Sequence, residues 1–418
     1  MRSHALALAV EAATTVLTVA GMAYFAASIV AARVYAAQRR RPRAAYTAGV
    51  SVLKSLKGLD PGMLEAFRSH CRQHYTGEYE LLFGVSRPEE PAAEAVRALE
   101  REFPERAIRL IVCPERLGAN GKVSTLAQMA REARYDVLLV NDSDITVGPR
   151  YLERVMAEFG PEAQKEGAQK EDAQKEGAQM AGAGNESAEE VGLVTALYRG
   201  RAHGTWLSHM EALGIATDFQ AGVLLSRMLE GGMHYGLGST LAVRREALKK
   251  IGGFEALADY LADDYELGAR VARAGYRVAL CAEVVETSVP SYGWRGFADH
   301  QLRWLRTVRD ARPAGYAGLV FTHGLAWALV NVVASGLSPL SLWLLSLAFF
   351  LRLTQAMTVG AGVLSDRQVL PWLWLLPLRD AVAMGLWAEG FAGNTIVWRG
   401  ERFEVKDGRL LRCEEPKA

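Results

Sequence analysis

Tyr135-Asp136-Val137-Leu138-Leu139-Val140-Asn141-Asp142-Ser143-Asp144 is the stretch on which the fold turns. The unbroken aliphatic run 137–140 reads as a strand buried on both faces, as in a parallel sheet. Ligands of such sheets bind beyond the carboxyl ends of the strands. Asp142 and Asp144 stand at that edge, one residue apart. Two carboxylates there can hold a hard divalent ion through oxygen, and the ion in turn neutralises a diphosphate. The bland alternative is an Asp-rich turn that caps a loop, the commoner use of such residues.

Outward from this strand, further strand-like runs lie at 50–53, 80–85, 108–112 and 192–196, with helical patterns at 63–73, 91–102 and 123–134. Strand and helix in alternation predict an α/β domain with a mostly parallel sheet and helices on both faces. From residue 163 the chain repeats AQKEG, AQKED, AQKEG and AQMAG, then runs Gly-, Ser- and Glu-rich to Glu190. A five-residue period without an apolar face is too short for a solenoid, so 161–190 is expected to be a disordered insertion.

Three motifs follow. Ala262-Asp263-Asp264-Tyr265-Glu266-Leu267 opens a helix, where an aspartate either caps the N-terminus or serves as a general base toward an attacking alcohol. Upstream, Gly236-Leu237-Gly238-Ser239-Thr240-Leu241-Ala242-Val243-Arg244 reads as a small-residue loop where a substrate can approach the backbone, with Gly238, Ser239 and Thr240 as acceptor-side candidates. Asp299-His300-Gln301-Leu302-Arg303-Trp304-Leu305-Arg306 is a helix that could anchor at a membrane surface. It could equally set Arg303 against a diphosphate leaving group and Trp304 against an acceptor.

The chain has 418 residues, enough for two or three domains or one enlarged domain. Its 48 Lys and Arg against 47 Asp and Glu leave a net charge of +1, which gives no sign of a nucleic-acid partner. Cys71, Cys113, Cys281 and Cys413 are scattered, without metal-ligand or disulfide spacing. Long apolar runs stand at both ends. Residues 5–35 exceed the roughly 20 needed to cross a bilayer, and are too long for a signal-peptide core. Arg33, Arg39, Arg40, Arg41 and Arg43 follow this helix while Arg2 precedes it, so the middle of the chain is expected in the cytoplasm. Residues 315–352, with Ser335-Gly336-Leu337-Ser338-Pro339 near the centre, read as a transmembrane hairpin. Residues 367–397 are apolar but interrupted by Arg379, Asp380 and Glu389, so they form a third C-terminal span, a re-entrant element or an interfacial helix. Basic residues Arg399, Arg402, Lys406, Arg409 and Arg412 mark 398–418 as a cytoplasmic tail. The catalytic part is then 44–314.

In order, DSD at a strand end, ADDYELG, QLRW, and flanking membrane segments resemble the ceramide glucosyltransferase family and its bacterial relatives, the hopanoid-biosynthesis-associated glycosyltransferases. Val50-Ser51-Val52-Leu53-Lys54-Ser55-Leu56-Lys57-Gly58-Leu59-Asp60 looks like the family's opening strand and turn, and Gly118-Ala119-Asn120-Gly121-Lys122-Val123 like its donor-side lysine loop. The resemblance implies a GT-A nucleotide-diphosphosugar fold and an inverting transfer of one sugar, glucose or N-acetylglucosamine, from UDP to a lipid hydroxyl of a hopanoid polyol or ceramide. It implies Mg or Mn held by Asp142 and Asp144, donor contacts from Lys122, Asp142, Arg303 and Trp304, and Asp264 as base, with Gln301 on the acceptor side. It implies an integral protein of the bacterial inner membrane. Two positions depart from the pattern: the family's first aspartate falls on Arg87, with Glu89 and Glu90 nearby, and His300 opens the QxxRW-like motif with Gln301 shifted by one. A processive polysaccharide synthase, which shares the fold and an RW motif, and an inactive lipid-binding homologue stay open as alternatives.

Overall fold

The structure, a computed structural model, describes residues 2–40, 43–160, 190–398 and 401–413. The segment 161–190, expected to be a disordered insertion, lies outside them apart from Glu190. The chain divides into two compact units, one formed by residues 39–198 and 230–288, the other by residues 1–38, 199–229 and 289–418.

The first unit is built on a seven-stranded sheet. Its strands are β1 (Val50–Ser55), β2 (Tyr79–Val85), β3 (Ala107–Val112), β4 (Val137–Val140), β5 (Val191–Ala202), β6 (Leu241–Arg244) and β7 (Arg277–Val289), in spatial order β3-β2-β1-β4-β6-β5-β7. β3, β2, β1 and β4 are mutually parallel, whereas β6 runs antiparallel to both β4 and β5. This is the expected α/β class with a mostly parallel sheet. All four residues of β4 are buried, as a central strand covered by helices on both faces requires. The helices Met63–Cys71, Pro91–Glu102 and Gly121–Glu132 fall where the apolar periodicity put them. Pro91 opens its helix at the one position where a missing N–H costs nothing, and Asn120 caps the next by accepting from Val123 N at 3.2 Å. The core between sheet and helices includes Val52, Phe67, Phe83, Val96, Leu139 and Tyr151.

One expectation changes here. Residues 241–244 are strand β6, not the end of a loop, and the loop stops at Thr240. A run of three apolar residues is too short to announce a strand. It pairs because it fills the gap between β4 and β5, where Leu241, Ala242 and Val243 are buried.

The second unit holds the apolar helices. Ala5–Gln38, Pro339–Val363 and Arg367–Glu389 are each long and apolar enough to cross a membrane. Pro313–Thr322 and Gly324–Ala334 qualify together, with a bend of 57°. Small residues let the first helix meet the bent pair closely: a Cβ on Gly21 would lie 2.1 Å from Gly324 Cα. Nearby, Thr14 and Thr15 donate to Asn331 Oδ1 at 2.9 and 3.0 Å. Arg352, 1% exposed, donates to both Asp380 oxygens at 2.8 and 2.9 Å. The end of the segment read as membrane-associated and the segment read as a tail together form an antiparallel sheet, β8 (Thr395–Trp398), β9 (Glu401–Lys406) and β10 (Arg409–Arg412), in the order β10-β9-β8.

Candidate active site

The first unit gathers its chemistry beyond the carboxyl end of β4. Asn141, 1% exposed, follows the strand and donates through Nδ2 to Tyr151 Oη at 2.9 Å and to the Ser239 carbonyl at 2.6 Å. His70 Nε2 lies 3.2 Å from its Oδ1, and the Tyr151 and Thr240 hydroxyls meet at 3.0 Å. This buried network fastens the Gly236–Thr240 turn to the DSD turn. Burial, then the Lys54 charge, push the His70 pKa down to about 3, so its ring is neutral at pH 7.

Asp142 and Asp144 are held by different partners. Asp142, its side chain 43% exposed, pairs through Oδ1 with Lys122 Nζ at 2.7 Å, and Lys122 also lies 3.3 Å from Asp263 Oδ2. Burial works to lower the Lys122 pKa, but the Asp142 and Asp263 carboxylates outweigh it and the net shift is upward. Asp144 Oδ2 accepts from Thr287 Oγ1 at 2.6 Å and Ser288 N at 2.8 Å. Burial and the Asp142 charge raise its pKa against the pull of those donors. Lys54, 1% exposed at the end of β1, donates to the Asp142 carbonyl at 2.9 Å and so fixes the turn from below. Its burial lowers its pKa to about 7 although both aspartates pull upward. Ser143 donates to Asp60 Oδ2, which ties the turn after β1 to the DSD turn.

Lys122 is positioned through the loop before it. The Asn120 backbone N–H donates to the Ala258 carbonyl at 2.7 Å, Asn120 Nδ2 to Tyr260 O at 2.8 Å, and Ala119 N to Asp259 Oδ1 at 2.9 Å. Residues 258–260 lead into the helix Asp263–Arg273, so one set of bonds sets both Lys122 and the carboxylates that open the helix.

Asp264 accepts from the Tyr265 backbone N–H at 2.8 Å through Oδ1. Its other oxygen faces Gly238, where a Cβ would stand 2.9 Å away. Burial first, then the Asp263 charge, push its pKa up to about 6, against Lys122 and the Tyr265 N–H. The site thus holds a carboxylate with a pKa of about 6 packed directly against a glycine. Ser239 and Thr240 are buried, the Ser239 hydroxyl donating to Ala196 O at 3.3 Å. Of the three acceptor-side candidates in this turn, Gly238 is the one that abuts Asp264.

Glu90 accepts from Gly58 N at 2.6 Å, so an acid does close the loops after β1 and β2, while Arg87 and Glu89 are exposed. Gln301, Arg303 and Trp304 belong to the second unit, on the helix Trp294–Ala311. There His300 Nδ1 and Gln301 Nε2 each lie 3.2 Å from Oε2 of the buried Glu211, and Trp304 contacts Phe219. Sequence reading assigned no role to Lys54, Asn141, His70 or Glu211. For Lys54 a signal existed, a lone cation inside the buried run VSVLKS.

The model of Glycosyl transferase family 21 matches residues 13–165 and 179–411. The chain belongs to glycosyl transferase family 21. This family 21 member is 24% identical over 378 residues to "Ceramide glucosyltransferase 3" of Caenorhabditis elegans, covering 86% of this chain and 73% of that one. It is 22% identical over 378 residues to "Ceramide glucosyltransferase 1" of the same organism, covering 88% and 74%. Its structure is similar to that of mannosyltransferase PcManGT from Pyrobaculum calidifontis in complex with GDP-Man and Mn2+, with a TM-score of 0.48 and 19% identity over 90% of this chain and 97% of that one. The family 21 match leaves out residues 166–178, within the AQKEG repeat.

Proposed function

We propose that the chain is an integral membrane glycosyltransferase that moves one sugar, glucose or N-acetylglucosamine, from UDP to a lipid hydroxyl with inversion. The observation that carries this reading is Asp264, a carboxylate with a pKa of about 6 set against Gly238 in the unit that also holds the Lys122–Asp142 pair. Inversion needs a base that takes the proton of the attacking alcohol as its oxygen meets the anomeric carbon, and a carboxylate with a pKa of about 6 is largely ionised at pH 7, which supports Asp264 in that role. Gly238 lets the turn pack directly against Asp264, and the buried Ser239 and Thr240 shape that turn.

The residues present suit a divalent cation. Asp142 and Asp144 are hard oxygen donors, and among the described residues no third acid, His or Cys joins them. Two carboxylates completed by substrate phosphates is how Mg, and Mn like it, binds nucleotides. When bound, the ion would neutralise the diphosphate as it leaves. Lys122 adds a fixed cation beside Asp142, and Arg303 and Trp304 are assigned to the donor by the motif they match. Ceramide or a hopanoid polyol is the acceptor class, and the bacterial inner membrane with the sheet unit in the cytoplasm is the location. The ceramide glucosyltransferase relatives and the apolar helices support the lipid and the membrane. The test is transfer in lipid by purified protein. EDTA should abolish it, Mg or Mn should restore it, and the product should be β-configured from an α-linked donor. Full transfer in EDTA would remove the metal role of Asp142 and Asp144, and a retained anomer would remove Asp264 as base.

A further inference from the structure

Glu211 is a buried acid to which the proposed transfer assigns no task. Its side chain is 3% exposed, a place where a carboxylate is costly unless it is hydrogen-bonded. Among the described residues its side-chain partners are His300 and Gln301, adjacent on the helix Trp294–Ala311, and both bonds end on the one oxygen Oε2. Gln301 Nε2 can only donate, so Oε2 accepts it, and it accepts His300 Nδ1 in the same way. In its neutral form the His300 ring then carries its hydrogen on Nδ1.

The contact reaches the end of the motif. His300 stacks on Tyr292 with 5.6 Å between ring centroids and lies 5.1 Å from the Trp304 ring, one helical turn on. Trp304 in turn contacts Phe219 at 6.3 Å. Glu211 and Phe219 belong to one helical run, made of Trp206–Gly214, the π turn Ile215–Phe219 and Gln220–Leu229. In an unbroken α-helix, residues with their spacing would point about 80° away from each other. The residue that a π turn adds reduces this to about 20°, so Glu211 and Phe219 share the face that meets His300, Gln301 and Trp304. The run thus grips the motif at two points, one polar and one aromatic.

We propose that Glu211 is a positioning residue for the transfer: by receiving His300 and Gln301 it sets where Arg303 and Trp304 stand. His300 occupies the first place of the QxxRW-like motif, and its ring both bonds the acid and packs on Trp304. The inference rests on the reading that Arg303 and Trp304 serve the transfer. Hydrogen bonds to a carboxylate are among the stronger ones, and losing them here corresponds to roughly a thirtyfold fall in rate.

The experiment is a mutant cycle on the full chain in nanodiscs, read as kcat/KM for sugar transfer. Glu211→Ala should lower kcat/KM roughly thirtyfold, and Glu211→Gln, whose amide oxygen accepts from the same two donors, should recover most of the loss. In a His300→Ala, Gln301→Ala background, Glu211→Ala should cost about twofold or less, because the groups it acts through are gone. An equal loss in both backgrounds would make Glu211 part of the scaffold alone and overturn the inference, as would full activity of Glu211→Ala. Nitrogen NMR of the histidine-labelled parent chain, with His300 assigned through His300→Gln, reads the pair with Glu211 in place and so holds even where Glu211→Ala does not fold. Hydrogen on Nδ1 at alkaline pH is the expected result, and hydrogen on Nε2 would overturn the inference. Absence of transfer by the folded parent chain would overturn the transfer reading and the inference with it.

Discussion

At the scale of single residues, the proposed chemistry rests on Asp264. Its pKa, raised by burial and by Asp263 to about 6, means that the fold's penalty for its ionised form builds up from the ordinary carboxylate range to that value and is full above it. A base must be ionised, so kcat/KM should fall as pH drops through about 6, whereas an unperturbed carboxylate would hold activity to near 4. Asp264→Asn should cut turnover by roughly a thousandfold and keep UDP binding. The sign of the shift also predicts that this variant unfolds at no lower temperature than the parent, because the amide removes a charge the fold disfavours; a clear drop in Tm would contradict it. Asn141→Ala should cost about 1–3 kcal/mol in denaturant unfolding, since the Ser239 carbonyl and Tyr151 hydroxyl lose a buried donor. The sequence made Asp142, Lys122 and Asp264 legible because each stands in a motif at an element's edge. It hid Asn141, His70 and Glu211, buried polar residues whose partners lie far along the chain, 98 positions away for the Ser239 carbonyl.

At the scale of elements, the parallel half of the sheet was readable because each strand is an apolar run between helical periods. β6 was not, since three apolar residues acquire strand character only from the neighbours they pair with. The strand β9 carries its alternation in the sequence, with Phe403 and Val405 inward between outward Arg402, Glu404 and Lys406, but the same basic residues also fit a membrane-flanking charge pattern that has no period of two. The helix Asp263–Arg273 reaches its place because Gly268 lets it touch the chain before Gly236: a Cβ there would lie 2.1 Å from Gly236 N and 2.4 Å from the Tyr235 carbonyl carbon. Both obstacles are backbone. Gly268→Ala should therefore destabilise by about 1–3 kcal/mol and lower Tm by several degrees, with activity lost as Asp264 is displaced. Unchanged Tm would show that the helix can shift without loss.

For the whole molecule, the family match spans both units and skips residues 166–178, inside the repeat. Deleting 166–178 should leave turnover and membrane insertion unchanged, and a dead deletion would give the repeat a role. The most direct test of the central claim is UDP release by membranes containing the protein, offered UDP-glucose or UDP-N-acetylglucosamine with ceramide or a hopanoid polyol, beside Asp264→Asn. The account predicts release that depends on the acceptor and is absent from the variant. Release unaffected by the substitution, or none from any pairing by folded protein supplied with Mg or Mn, would contradict it.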